Sequence, residues 1–86
     1  MYSEAELNFI IGENIKYYRQ LYNLGKNKNN RITQERLSEL ADVSTSLIGN
    51  MESEKISQGI SMYTLYKISN ILSVSIENFF VPVNEK

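Results

Sequence analysis

The sequence predicts an all-α fold of five helices in a single domain, residues 1–86, and three observations predict it. Apolar residues recur at helical spacing in successive stretches. Each stretch follows a Ser or Thr suited to cap a helix. No stretch reads convincingly as a strand, and no internal repeat is present.

Ser3 followed by Glu6 has the pattern of a capping box, so the first helix starts near Glu4. Leu7, Ile11, Ile15, Tyr18 and Tyr22 carry it over residues 4–22, with Gly12 a weak point inside it. Residues 23–32 are rich in Asn and Gly, poor in apolar side chains and basic, which marks a loop. Thr33 caps a second helix over residues 34–41, with Leu37, Leu40 and Ala41 facing inward. Asp42 and Val43 form a tight turn, and Ser44 caps a third helix over residues 45–53, whose apolar side is Leu47, Ile48 and Met51. Residues 54–59 are a second loop. Ser61 caps a fourth helix ending near Leu72, with Ile60 and Leu65 spaced as a hydrophobic staple. Ser75 caps a short fifth helix that ends at Phe80, and Val74 with Phe79 repeats the staple. Pro82 stops that helix, and residues 81–86 form a short tail.

Composition narrows the function classes. The 86 residues are 42% hydrophobic and 22% charged, close to a globular average and far from a disordered chain. A chain of this length supports a modest core. The absence of Cys removes disulfides, thiol catalysis and thiolate metal sites, and the absence of His removes nearly all zinc and catalytic-triad chemistry. No apolar run is long enough for a membrane span, and the first residues are acidic where a signal peptide is basic, so a cytoplasmic protein is expected. The net charge of −1 argues against nucleic acid at first sight. The distribution is uneven, however. Lys16, Arg19, Lys26, Lys28, Arg31 and Arg36 face only Glu35 within residues 16–36, whereas Glu4, Glu6 and Glu13 make residues 1–15 purely acidic. On charge alone, the basic segment is either a local positive surface or a solvated loop.

Residues 33–52 carry the functional signal. Two short helices joined by so brief a turn cross steeply instead of running antiparallel. Ala41 sits near the crossing, where close approach needs a small side chain, and Val43 plugs the angle. The third helix then presents Thr45, Ser46, Gly49 and Asn50 on one face, opposite Leu47, Ile48 and Met51. A helix with short polar side chains and no acid on its outer face suits a DNA major groove, where Asn pairs with adenine and Ser or Thr reaches base edges. The pattern alone equally describes an amphipathic helix with a solvated face.

The ordered motifs resemble one family over residues 11–80. They are Ile11 to Arg19, then Thr33-Gln34-Glu35 with Leu37, Val43-Ser44, Ile48, Glu52 and Lys55, then Leu65, Ile68, Leu72 to Ser75 and Phe79-Phe80. Together they look like the phage repressor and Cro (XRE-like) helix-turn-helix family. The resemblance implies a lambda-repressor-like bundle whose second and third helices form the helix-turn-helix. It also implies a double-stranded DNA partner, a transcriptional role and a homodimer on a palindromic site. Thr45, Ser46, Gly49 and Asn50 match the base-facing positions. Gln34, Ser44 and Lys55 match phosphate-holding positions, and Arg19 with Glu52 matches a structural ion pair.

The sequence also departs from the family pattern. The loop after the first helix is longer than usual and carries Lys26, Lys28 and Arg31, either to hold phosphates or as a disordered tether. Asp42 replaces the usual turn Gly, which is tolerable because Asp adopts the left-handed conformation. Glu54 stands where Gly often ends the recognition helix, and residues 57–61 lengthen the lead-in to the fourth helix. Residues 71–83, with Phe79 and Phe80, offer a dimer surface unless both Phe side chains fill the monomer core. Gly25-Lys26 lacks the rest of a phosphate-binding loop, and Glu52 with Glu54 points apart on a helix, so no enzyme, metal, cofactor or small-molecule ligand is expected. The competing expectation is a protein-interaction module of the same fold, an antitoxin or adaptor with weak or no DNA binding.

Overall fold

The computed structural model describes residues 1–86. Four α-helices follow one another: α1 (Glu4–Asn23), α2 (Gln34–Ala41), α3 (Thr45–Glu52) and α4 (Met62–Ile71). Three short 3-10 turns, Lys28–Asn30, Ile76–Phe80 and Val83–Glu85, complete the chain, and no strand is present.

The capping residues read from the sequence set four helix starts. At α1 the capping box is complete: the Glu6 amide donates to Ser3 Oγ at 3.1 Å, and the Ser3 amide donates to Glu6 Oε1 at 3.0 Å. Thr33, Ser44 and Ser61 each accept from the amide three residues on, that of Arg36, Leu47 and Thr64. These bonds satisfy amides that a helix start otherwise leaves unpaired.

Two helices end by the same device. Asp42 takes a left-handed conformation (φ 56°), its amide donates to Glu39 O, and the Val43 amide reaches back to Ser38 O at 3.0 Å. After α4, Ser73 is left-handed (φ 59°) and the Val74 amide donates to Ser69 O at 2.9 Å. Both are Schellman motifs, and in both the following Val packs on the core. At the first, the turn swings α3 across α2.

The loop after α1 is closed on itself. Asn23 Nδ2 donates to the Ile32 carbonyl at 2.8 Å, and the Ile32 amide donates to Asn23 Oδ1 at 2.7 Å. Arg31 Nε donates to Lys26 O at 3.0 Å across the same loop. Ile32 is buried in the core, so the loop's far end is anchored by packing as well.

Three expectations need correction. Leu40 is 42% exposed instead of facing inward. The helix turns its Ser38 side to α3, where Ser38 Oγ donates to Glu35 O and meets Thr45 Oγ1, and Leu40 lies past the edge of that face. Gly12 is a packing site and not a weak point. It is buried, and a Cβ there would overlap the backbone carbonyl of Met51, so glycine is what lets α1 and α3 touch. The fifth helix is a 3-10 turn over Ile76–Phe80, and Ser75 makes no side-chain cap. With Pro82 two residues beyond its end, the segment has room for little more than one turn, which closes with i→i+3 bonding such as Asn78 N to Ser75 O at 3.1 Å. Asn14, fully buried in α1, ties the end of this turn to the first helix, its Nδ2 donating to the carbonyls of Phe79 and Val81.

The core gathers Ile15, Leu37, Ile48, Leu65, Ile68 and Phe79, all essentially inaccessible to solvent. Phe79 is 0% exposed and so belongs to the monomer core, which removes it from the dimer surface expected over residues 71–83. Phe80 is half-buried.

Candidate nucleic-acid interface

Helix α3 is held from its inner side by Ile48, Met51 and Glu52, all buried. Its outer side carries Thr45 and Ser46, both exposed, with Gly49 and Asn50 half-exposed beside them. No charged side chain lies among these four. Ser44 is exposed at the start of the helix, where it also serves as the cap, and Lys55 is exposed just beyond its end.

These side chains differ in how free they are. The Thr45 hydroxyl lies 3.0 Å from Ser38 Oγ, so it is shared with α2. Asn50 Nδ2 donates to Gln58 Oε1 at 3.5 Å, the outer limit of a hydrogen bond, so its amide is nearly unengaged. Gln58 also donates to Gly59 O, which steadies it beside Asn50. A Cβ on Gly49 would meet Gln34 Oε1 at 3.6 Å, an ordinary contact. The Gln34 amide therefore lies alongside the bare backbone of Gly49.

Behind this face stands one polar cluster. Arg19 Nε donates to Glu52 Oε2 and Nη2 to Glu52 Oε1, both at 2.8 Å, in a two-pronged pair. Arg19 Nη1 donates to the Ile32 carbonyl at 3.2 Å. Gln34 Nε2 donates to Glu52 Oε1 at 3.0 Å. Glu52 is thus the junction of α1, α2 and α3. Its side chain is 2% exposed and that of Arg19 14%, so the pair is largely desolvated. Donating to the Glu52 carboxylate raises the Arg19 pKa above the usual arginine value.

The basic loop joins this cluster through Ile32. Lys26 lies over the Tyr22 ring at 4.3 Å, and its carbonyl holds Arg31. Arg31 precedes the residue whose carbonyl receives both Arg19 and Asn23. Lys28 is exposed in the 3-10 turn. The fold therefore fixes the base of the loop next to the start of α2, close to Gln34.

Helices α2 and α3, joined through the left-handed Asp42, form the motif that decides the family. The helix-turn-helix family pattern matches residues 26–79, more than half of the chain. The chain belongs to the XRE-like helix-turn-helix family. It is therefore a DNA-binding helix-turn-helix regulator in the general sense, with DNA as its partner, and the family is regulatory and not typically enzymatic. No curated protein matches the chain. No helix is long and apolar enough to cross a membrane.

The helix-turn-helix match begins at Lys26, so α1 lies ahead of it. The Arg19–Glu52 pair, the Gly12–Met51 contact and the Asn14 bond to Phe79 help fasten α1 to the matched part, along with the core packing of Ile11 and Ile15. Sequence reasoning missed three residues that shape this helix-turn-helix site: Asn23, Ser38 and Gln58. Asn23 sits in an Asn-rich stretch that reads only as loop, and its pairing with Ile32 leaves no mark in spacing. Gln58 lies in a loop with no periodic pattern at all.

Proposed function

We propose that the chain is a sequence-specific transcriptional regulator that reads the major groove of double-stranded DNA with α3, working as a homodimer. The observation that carries this is the outer face of α3, which is exposed, polar and free of charge, and backed by a rigid cluster at Glu52. Thr45, Ser46 and Asn50 meet base edges, with Asn50 the main discriminator because its amide is the least engaged. Gly49 lets the backbone approach the groove closely and leaves room for Gln34. Gln34, Ser44 and Lys55 hold phosphates at the two ends of the motif, and Lys26, Lys28 and Arg31 add positive charge along the backbone beside it.

A single recognition helix reads about half a site, so two copies on a palindrome are needed. The test is selection of bound duplexes from a random pool, followed by titration of the selected duplex at several salt concentrations. Enrichment of a palindromic sequence with salt-dependent affinity is the expected result. Failure to retain any duplex at low ionic strength overturns the reading. The low net charge and the uncharged face of α3 also suit a protein partner, and that second reading gains if random duplex is ignored.

A further inference from the structure

The loop after α1 has a fixed base and a free tip. Its side-chain bonds all lie at the base: Asn23 with Ile32, Arg19 with the Ile32 carbonyl, and Arg31 Nε with Lys26 O. Lys26 rests on the Tyr22 ring. Between these anchors Asn27, Lys28, Asn29 and Asn30 are all exposed, the last three wound into the 3-10 turn. Their side chains bond to nothing within the chain. A loop held at its base keeps the donors of its tip in place for a ligand, which lowers the ordering cost of binding one.

The anchors also set where the tip stands. Along α1, Gly12 meets Met51 and Arg19 meets Glu52, and Asn23 lies one further turn, about 6 Å, beyond Arg19. The loop therefore springs from beside the start of α2 and stands off from the reading face of α3. Asn29 precedes Gln34 by five residues, a span of at most about 18 Å. In the regulator reading Gln34 holds a phosphate of the strand that walls the major groove entered by α3. The minor groove, only about 6 Å wide, lies across that strand.

We propose that residues 27–31 enter this minor groove and select A·T pairs beside the bases that α3 reads. The inference deepens the regulator reading, on which it rests for DNA as the ligand. The chemistry of the tip suits that groove. At A·T pairs its floor offers only acceptors, adenine N3 and thymine O2, whereas G·C adds the guanine amino group as a donor. The free amides of Asn29 and Asn30 donate to the acceptors and meet that amino group unfavourably. An A·T-rich minor groove is also narrow, and its concentrated negative potential draws Lys and Arg. Lys28 stands between Asn27 and Asn29, Arg31 uses only its Nε within the loop, and no acid occurs between Glu13 and Glu35 to oppose them.

The experiment titrates the full chain against the duplex selected from a random pool, its flanking pairs set to A·T, to G·C or to inosine·cytosine. Inosine·cytosine presents the minor-groove edge of A·T and a major-groove edge like that of G·C, so it isolates the groove being read. The wild type is expected to lose about fivefold or more in affinity on G·C flanks and to regain it on inosine·cytosine flanks. Asn29→Ala and Asn30→Ala together alter exposed side chains and leave the helical circular dichroism unchanged. This double variant is expected to lose the flank preference and to keep selection at the α3 bases. The proposal is overturned if the wild type binds all three flanks alike, if inosine·cytosine is as weak as G·C, or if the double variant keeps the wild-type preference. Selection at the α3 bases with indifferent flanks sinks this inference and leaves the regulator reading standing. A chain that retains no duplex at low ionic strength sinks the regulator reading and this inference with it.

Discussion

Gly12 and Met51 bring α1 and α3 into backbone contact: a Cβ on Gly12 would overlap the Met51 carbonyl oxygen. Two effects oppose each other in Gly12→Ala. Alanine gains about 1 kcal/mol of helix propensity over glycine. Overpacking against backbone, which cannot rotate aside, costs about 1–3 kcal/mol and more where no relaxation is open. The clash wins here, because the atom met is a main-chain carbonyl and not the end of a side chain. Urea unfolding is expected to show a net loss of about 2 kcal/mol or more, and DNA affinity falls with it because α3 is displaced. A stabilised Gly12→Ala variant would mean that the helices do not touch here.

Arg19 and Glu52 supply a second prediction. The pair is two-pronged and largely buried, and Gln34 shares the same carboxylate. Arg19→Met leaves Glu52 desolvated with one neutral donor, a change that costs about 3–5 kcal/mol for buried pairs. Arg19→Lys keeps the charge but not the fork or the bond to Ile32, and is expected to lose less. Denaturant midpoints order the three proteins, and an Arg19→Met midpoint equal to that of the wild type refutes the junction.

The loop clamp is tested at Asn23. In Asn23→Asp the acceptor for the Ile32 amide remains, but a carboxylate oxygen replaces the donor facing the Ile32 carbonyl. Losing a hydrogen bond and setting two oxygens together costs about 1–3 kcal/mol. Amide exchange is the informative readout: residues 24–32 are expected to lose protection ahead of the core helices. Uniform loss across the chain would show instead that the clamp belongs to the global fold.

The fold was legible in the sequence wherever the signal was local. Ser3, Thr33, Ser44 and Ser61 announce their helices because a cap is a short-range pattern, and Asp42 is legible because few residues accept its conformation. At Ile76–Phe80 the cap-and-staple pattern does not separate a single α-helical turn from the 3-10 turn that forms. Gly12 was misjudged because propensity sees only its own helix and not Met51. At the site, the polar face of α3 follows from period alone. The engagement of Thr45 by Ser38 requires the crossing angle of α2 and α3, and that of Asn50 by Gln58 the path of the loop after α3, and no spacing encodes either.

Acid stability tests the capping box. Hydrogen bonds from the backbone and side chain of Ser3 hold the Glu6 pKa below the usual glutamate value. A carboxylate depressed in the folded state contributes stability above its unfolded pKa, and that contribution fades as pH falls through the folded value. Glu6→Gln is therefore expected to flatten part of the stability loss below the ordinary glutamate range. The effect is small, because the group is exposed. Chemical denaturation of both proteins across that range checks it, and parallel curves would show that Glu6 does not titrate with folding.

The DNA reading makes its sharpest prediction in the contrast between Asn50 and Lys55. Asn50 carries the least engaged amide on the reading face, held only by a bond at the limit of length. If it pairs with a base edge, Asn50→Ala costs about 1–3 kcal/mol on the preferred duplex and relaxes selection at one base pair per half-site. Lys55 stands exposed beyond the end of α3 and carries charge without shape. If it meets a phosphate, Lys55→Ala weakens all duplexes alike and reduces the salt slope by about one. Gln58→Ala separates positioning from contact: it removes the partner of Asn50, so it broadens selection at the same base pair with a smaller loss of affinity. Affinity measurements on the selected duplex and its single-base variants, at two salt concentrations, distinguish all three. Should Asn50→Ala retain both the preferred sequence and its affinity, the face of α3 that it occupies is not the one turned to the bases.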